Sequence, residues 1–167
     1  MNMTESHVYL GLLDSACSNV QSGCDYQELR DRFFNACQFM RCGEIIVDDL
    51  IQIAEAALSM AVDISGRSPG SILAYLRELH INKNAGYSGA DNPDTWANFR
   101  LSERLGIPPF SGCMVRLSDK VERIGNLIRD PNNERVNESI FDTLCDSVSY
   151  SLIAACLLIE RNEKNAR

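Results

Sequence analysis

Residues 116–150 read RLSDKVERIGNLIRDPNNERVNESIFDTLCDSVSY, and this stretch decides the fold. It divides into two helical patterns around the polar connection Asp130-Pro131-Asn132-Asn133. In the first, Met114, Leu117, Val121, Ile124 and Ile128 recur at steps of three and four, which is a packing seam over 111–129. In the second, Ile140, Leu144, Val148, Leu152, Ala155 and Leu158 mark the apolar face of a helix over 137–161, with Asn137 placed to cap it. Four-residue steps also put Glu138, Asp142, Asp146 and Tyr150 along one side. Three carboxylates in a row repel one another. Nearby Arg or Lys, a bound cation or full solvation must offset that repulsion.

Working outward, the same periodicity predicts helices over 6–20, 26–41, 44–64 and 70–80. Val8, Leu12 and Leu13 supply the inner side of the first, and Ile46, Leu50, Ile53, Ala57 and Ala61 that of the third. Asp25 is placed to cap the second helix and Gly43 to stop it. The cluster Ser65-Gly66-Arg67-Ser68-Pro69-Gly70 divides a 1–64 region, which offers an oligomerisation surface, from a 71–167 core. Residues 81–95 are rich in Gly, Asn, Asp and Pro and read as a loop, followed by a short helix over 95–105. No segment alternates as a strand does. The expected fold is all-α, an antiparallel helical bundle centred on helices 111–129 and 137–161 in one compact unit. A bundle this short commonly buries a face against a second copy, so a homodimer or higher homo-oligomer is expected.

The chain has 167 residues and a formal net charge of −7, which argues against broad binding to a nucleic-acid backbone. Seven cysteines, no C-x-x-C pair and two histidines make a structural zinc site a poor fit. An odd thiol count and a start without signal-peptide character point to reduced thiols in a cytoplasm, and no apolar run is long enough to read as a membrane span.

Two constellations carry chemistry. Asp119-x-x-Glu122 and Glu138-x-x-x-Asp142, with Asp146, would gather several carboxylates between antiparallel neighbours. Such oxygens suit Mg²⁺ completed by substrate phosphates. By spacing alone, solvated or internally paired acidic faces are the commoner outcome. Arg116, Lys120 and Arg123 form a basic row, and Lys83 precedes the Gly-rich stretch. These can grip phosphate or pair with the acidic helix. Tyr87 and Trp96 are candidate stacking surfaces for a base, with Asn98 for hydrogen bonding, although Trp96 also suits a core plug.

Lys83 to Tyr87, Trp96-Ala97-Asn98-Phe99-Arg100, Val115 to Lys120 with Arg123, and Glu138 to Tyr150 together resemble the phage-associated all-α nucleotide-modification-associated domain family. That family is in turn similar to the MazG-like and dimeric dUTPase-type pyrophosphohydrolases. The resemblance covers Asn82 to Glu160, about half of the chain. It implies cleavage of a (deoxy)nucleoside triphosphate to the monophosphate and pyrophosphate. Glu138 and Asp142 would be catalytic. Glu138, Asp142, Asp146 and Asp119 would hold Mg²⁺. Lys83, Tyr87, Trp96, Asn98, Arg116, Lys120 and Arg123 would hold the nucleotide. The later acidic set is spaced by four here, where those enzymes use E-x-x-D. A non-enzymatic binder that sequesters a cyclic nucleotide immune signal is the alternative, and an oligomeric helical interaction protein is a second.

Overall fold

A computed structural model describes residues 3–87, 94–130 and 139–166. Its α-helices are α1 (Met3–Ser18), α2 (Tyr26–Cys42), α3 (Val47–Ser65), α4 (Pro69–Tyr87), α5 (Ala97–Arg100), α6 (Pro109–Arg129) and α7 (Ile140–Asn165). A 3₁₀ turn follows α5 at Leu101–Leu105. Among the described residues there is no strand, so the all-α expectation holds.

Helix α7 lies at the centre. Residues 143–148 and 151–158 are buried without interruption, because α3 covers one side and α6 another, with α1 and α4 closing the rest. By length and mean hydropathy α7 would also suffice to cross a membrane, and 78% of its apolar window is buried inside the protein. The expected α6–α7 pair is present and antiparallel: Cys113, Lys120 and Arg123 meet Tyr150, Asp146 and Thr143 in turn. The most extensive partner of α7 is α3, however. Ala54, Ala56, Ala57 and Ala61 of α3 and Ala154 and Ala155 of α7 are all buried. Small side chains let two helix backbones approach closely, and an apolar stripe read at one face underestimates such a helix. The N-terminal helices belong to the same core through Tyr9, Leu13, Leu29 and Phe33.

Several boundaries move for identifiable reasons. Tyr9, Leu13 and Ala16 form the buried face of α1, while Val8 is exposed. Ile46 and Ile128, read as seam positions, are also exposed. Ile46 caps α3, its N–H donating to Asp49 Oδ2 at 2.9 Å, so it stands outside the helical stripe. Asp25 caps α2 as expected, accepting from the Glu28 N–H at 2.9 Å, and Gly43 ends it at φ 77°. Pro109 begins α6, where a missing N–H costs nothing. Helix α4 continues to Tyr87 through residues expected to form a loop. None of residues 81–87 is proline, and Asn or Gly costs a helix only about 0.7–1 kcal/mol each relative to Ala. Tertiary contacts such as that of Lys83 with Asp146 can offset this.

Gly125 illustrates how tightly α2 approaches α6. A Cβ there would lie 2.3 Å from the Tyr26 hydroxyl oxygen and 2.5 Å from its Cζ. In an open helix, Gly→Ala stabilises by about 1 kcal/mol. Here Gly125→Ala is expected to destabilise by about 1–2 kcal/mol in urea unfolding, because the Tyr26 ring must leave its seat. In a Tyr26→Ala background the same substitution should turn stabilising. Persistence of the loss in that background would show that the ring is not its cause.

Candidate functional site

Helices α4, α6 and α7, with the start of α5, enclose a cleft lined by His80, Lys83, Asn98, Phe99, Arg116, Asp146, Ser149, Tyr150 and Ile153. Four residues expected to form the site therefore converge here: Lys83, Asn98, Arg116 and Asp146. The cavity is small, about 40 Å³. A cavity of about 10–15 Å³ by this measure holds one water, so this one has room for a few, and it is far below the hundreds of Å³ typical of whole-nucleotide pockets.

Asp146 is the cleft's buried charge, 8% exposed. Lys83 Nζ donates to its Oδ1, and Lys120 Nζ lies 2.7 Å from its Oδ2. Burial pushes the Asp146 carboxyl upward, but the hydrogen bonds from Lys120 and Lys83 more than offset this and hold it below the ordinary carboxylate range. Arg116 extends the cationic side from the exposed face of α6, its guanidinium 5.5 Å from the Phe99 ring centroid. No carboxylate among the described residues lies within ion-pair distance of Arg116. Among the described residues, the cleft lining sets Lys83 and Arg116 against Asp146, and Lys120 reaches the same carboxylate from beside it, in a chain whose net charge is −7. One turn further along α6, Arg123 Nε donates to Thr143 Oγ1 at 3.2 Å.

The acidic row on α7 is resolved by two different devices. Lysines compensate Asp146, whereas Asp142 closes a capping box. Its Oδ2 accepts from the Ser139 hydroxyl at 2.7 Å and from the Ser139 N–H at 3.2 Å, and the Ser139 hydroxyl accepts from the Asp142 N–H at 3.1 Å. Tyr75 O–H donates to Asp142 Oδ1 at 3.4 Å. A carboxylate at a helix N-terminus is also favoured by the helix dipole. Ser139 is therefore the cap in place of Asn137, because its hydroxyl reaches the third helical N–H.

Asp119 is exposed and does not line the cleft. Glu138 and the side chain of Tyr87 lie outside the described residues. Among the described residues, no three His, Cys, Asp or Glu side chains gather as a metal site would require. Glu44, Asp48 and Gln52 are exposed, and Glu55 accepts from Asn19 at 2.9 Å.

Trp96 does not present a stacking surface. It is 1% exposed, and its ring centroid lies 6.0 Å from that of Tyr9 and 5.7 Å from that of His80. His80 in turn stacks on Tyr9 at 4.1 Å with an 11° interplanar angle. This Tyr9–His80–Trp96 cluster, together with Ser149, backs the cleft. Tyr9 O–H donates to Ser149 Oγ at 3.5 Å. The sequence contained a signal for His80: it stands three residues before Lys83, hence on the same side of a helix that runs through both. Ending α4 at residue 80 hides that relation. Arg100 ties the site's flank together, with Nε 2.8 Å from Asp94 Oδ2 and Nη2 2.9 Å from Glu160 Oε2.

No family model, curated protein or solved structure significantly matches this chain.

Proposed function

We propose that this protein binds a nucleotide or nucleotide-derived small molecule by its phosphate, without turning it over. The supporting observation is the cationic lining of the cleft: among the described residues, Lys83 and Arg116 line it beside the carboxylate of Asp146, which Lys120 also reaches. Lys83 and Arg116 are open to solvent on its rim, so an anion can reach them without unfolding anything. Arg116 supplies a planar fork of donors suited to phosphate oxygens, and Asn98 adds an amide beside it. The cavity admits an anionic group and leaves the base and sugar at its mouth. Binding is favoured over hydrolysis because Asp146 is engaged by two ammonium groups and Asp142 by its helix terminus.

The purified protein should be dialysed against nucleoside mono-, di- and triphosphates and cyclic nucleotides, with and without Mg²⁺. Ligand retention and pyrophosphate release are followed together. Retention without release is expected. Arg116→Ala should weaken binding about tenfold, the loss of one charge-assisted phosphate contact. Asp142→Ala should leave affinity intact while costing about 1 kcal/mol of stability through the lost cap. Pyrophosphate release abolished by Asp142→Ala would instead establish a hydrolase. No retention of any ligand would sink the phosphate-binding reading.

A further inference from the structure

The carboxylate of Asp146 already sits as a bound anion would. It is 8% exposed, and each oxygen is taken by an ammonium from a different helix: Oδ1 by Lys83 of α4, Oδ2 by Lys120 of α6 at 2.7 Å. We propose that Asp146 is a resident counter-ion of the anion site, one that an incoming anion must displace from Lys83, in a cleft whose cations and size favour a terminal, dianionic phosphate over a singly charged phosphodiester. This rests on the phosphate-binding reading above and assigns the ligand class of that same cleft.

Asp146 and an incoming anion compete for the same ammonium groups. Asp146 is tethered beside Lys83 and Lys120, so it opposes every incoming anion at a high effective concentration. A phosphodiester carries one negative charge, no more than Asp146 itself, and gains little by taking an ammonium from it. A phosphomonoester approaches two charges near neutrality and has three terminal oxygens. It can engage Arg116 and draw Lys83 away while Asp146 keeps Lys120. The exposures fit this division, since the Lys83 side chain is 40% exposed and that of Lys120 is 19% exposed. Cavity size points the same way. A terminal phosphoryl group enters through one bond, whereas a diester must bring an ester substituent on each side into about 40 Å³. The lysines also keep the Asp146 carboxyl below the ordinary carboxylate range, so the counter-ion is charged throughout the neutral range.

The probes are inorganic phosphate and dimethyl phosphate at about pH 8, where the first is mainly a dianion and the second a monoanion. Their affinities are measured by phosphorus NMR titration at low salt on the full chain. The wild type should prefer phosphate by about tenfold. Asp146→Asn, nearly isosteric, should tighten both ligands and inorganic phosphate more, by about tenfold, widening the preference, because the lost negative charge repels a dianion about twice as strongly as a monoanion. A wild type that binds phosphate but is weakened or unchanged by Asp146→Asn overturns the counter-ion role. Weakening that appears only with Mg²⁺ present would make Asp146 a metal ligand instead. If neither probe nor any nucleotide of the panel binds the wild type, the underlying phosphate reading has failed. Should Asp146→Asn not fold, Lys83→Gln is compared with Lys83→Gln/Asp146→Asn, which removes one charge of each sign. The double variant must then bind phosphate more tightly than the single one, and equal or weaker binding overturns the proposal.

Discussion

Trp96→Ala is expected to lower the unfolding free energy by about 3–5 kcal/mol, the usual cost of truncating a large buried aromatic. Trp96 is among the largest fully buried side chains, and it touches the Tyr9–His80 stack that joins α1 to α4. Its loss would leave a cavity directly behind the cleft. The Nε1–H is buried without a hydrogen-bond partner, and an unsatisfied donor carries a penalty of about 1–3 kcal/mol. Trp96→Phe should therefore be much milder than Trp96→Ala: it keeps most of the ring and removes the orphaned donor. The comparison requires circular dichroism in urea, since Trp96 is the chain's single tryptophan and its fluorescence is lost in both variants. Trp96→Ala with wild-type stability and abolished nucleotide retention would return Trp96 to the role of a base-stacking platform.

Trp96 also shows where the sequence is legible and where it is not. Helix periodicity locates the elements, since apolar spacing reflects which side faces a core. It places the caps at Asp25 and Gly43, where local side-chain and backbone chemistry suffices. It does not tell a buried tryptophan from a ligand platform. That depends on Tyr9, 87 residues earlier in the chain, and on a helix continuing past residue 80. The acidic row on α7 is ambiguous for a related reason. Asp142 and Asp146 are equivalent by spacing, yet one meets a helix terminus and the other two lysines. Lys120 lies on α6, the neighbour the sequence does suggest, whereas Lys83 comes from the stretch read as a loop. The basic row survives as a row, but only Arg116 and Lys120 reach the cleft region, while Arg123 meets Thr143.

His80 should make the protein progressively less stable as pH falls below about 6.5. It is 8% exposed and packed between Tyr9 and Trp96, and burial lowers its pKa from 6.5 to about 4. In the unfolded chain the imidazole takes up a proton near 6.5, while in the folded chain it stays neutral down to about 4. Between those values the unfolded state binds more protons, so stability rises with pH. The contribution is complete above 6.5 and is lost as pH falls toward 4. Across that window it amounts to roughly 3 kcal/mol, at up to about 1.4 kcal/mol per pH unit. His80→Phe removes the titration while keeping an aromatic ring against Tyr9. Urea unfolding of both proteins from pH 7.5 to 4.5 isolates the effect, because His7 and the carboxylates contribute equally to each. The difference between wild type and variant should shift by about 2–3 kcal/mol in favour of the variant over that range. Parallel stability curves would mean that the folded protein accepts the proton at His80, and hence that the pocket behind the cleft admits water and charge. An open pocket of that kind would enlarge the space available to a ligand and weaken the size argument for a single phosphoryl group.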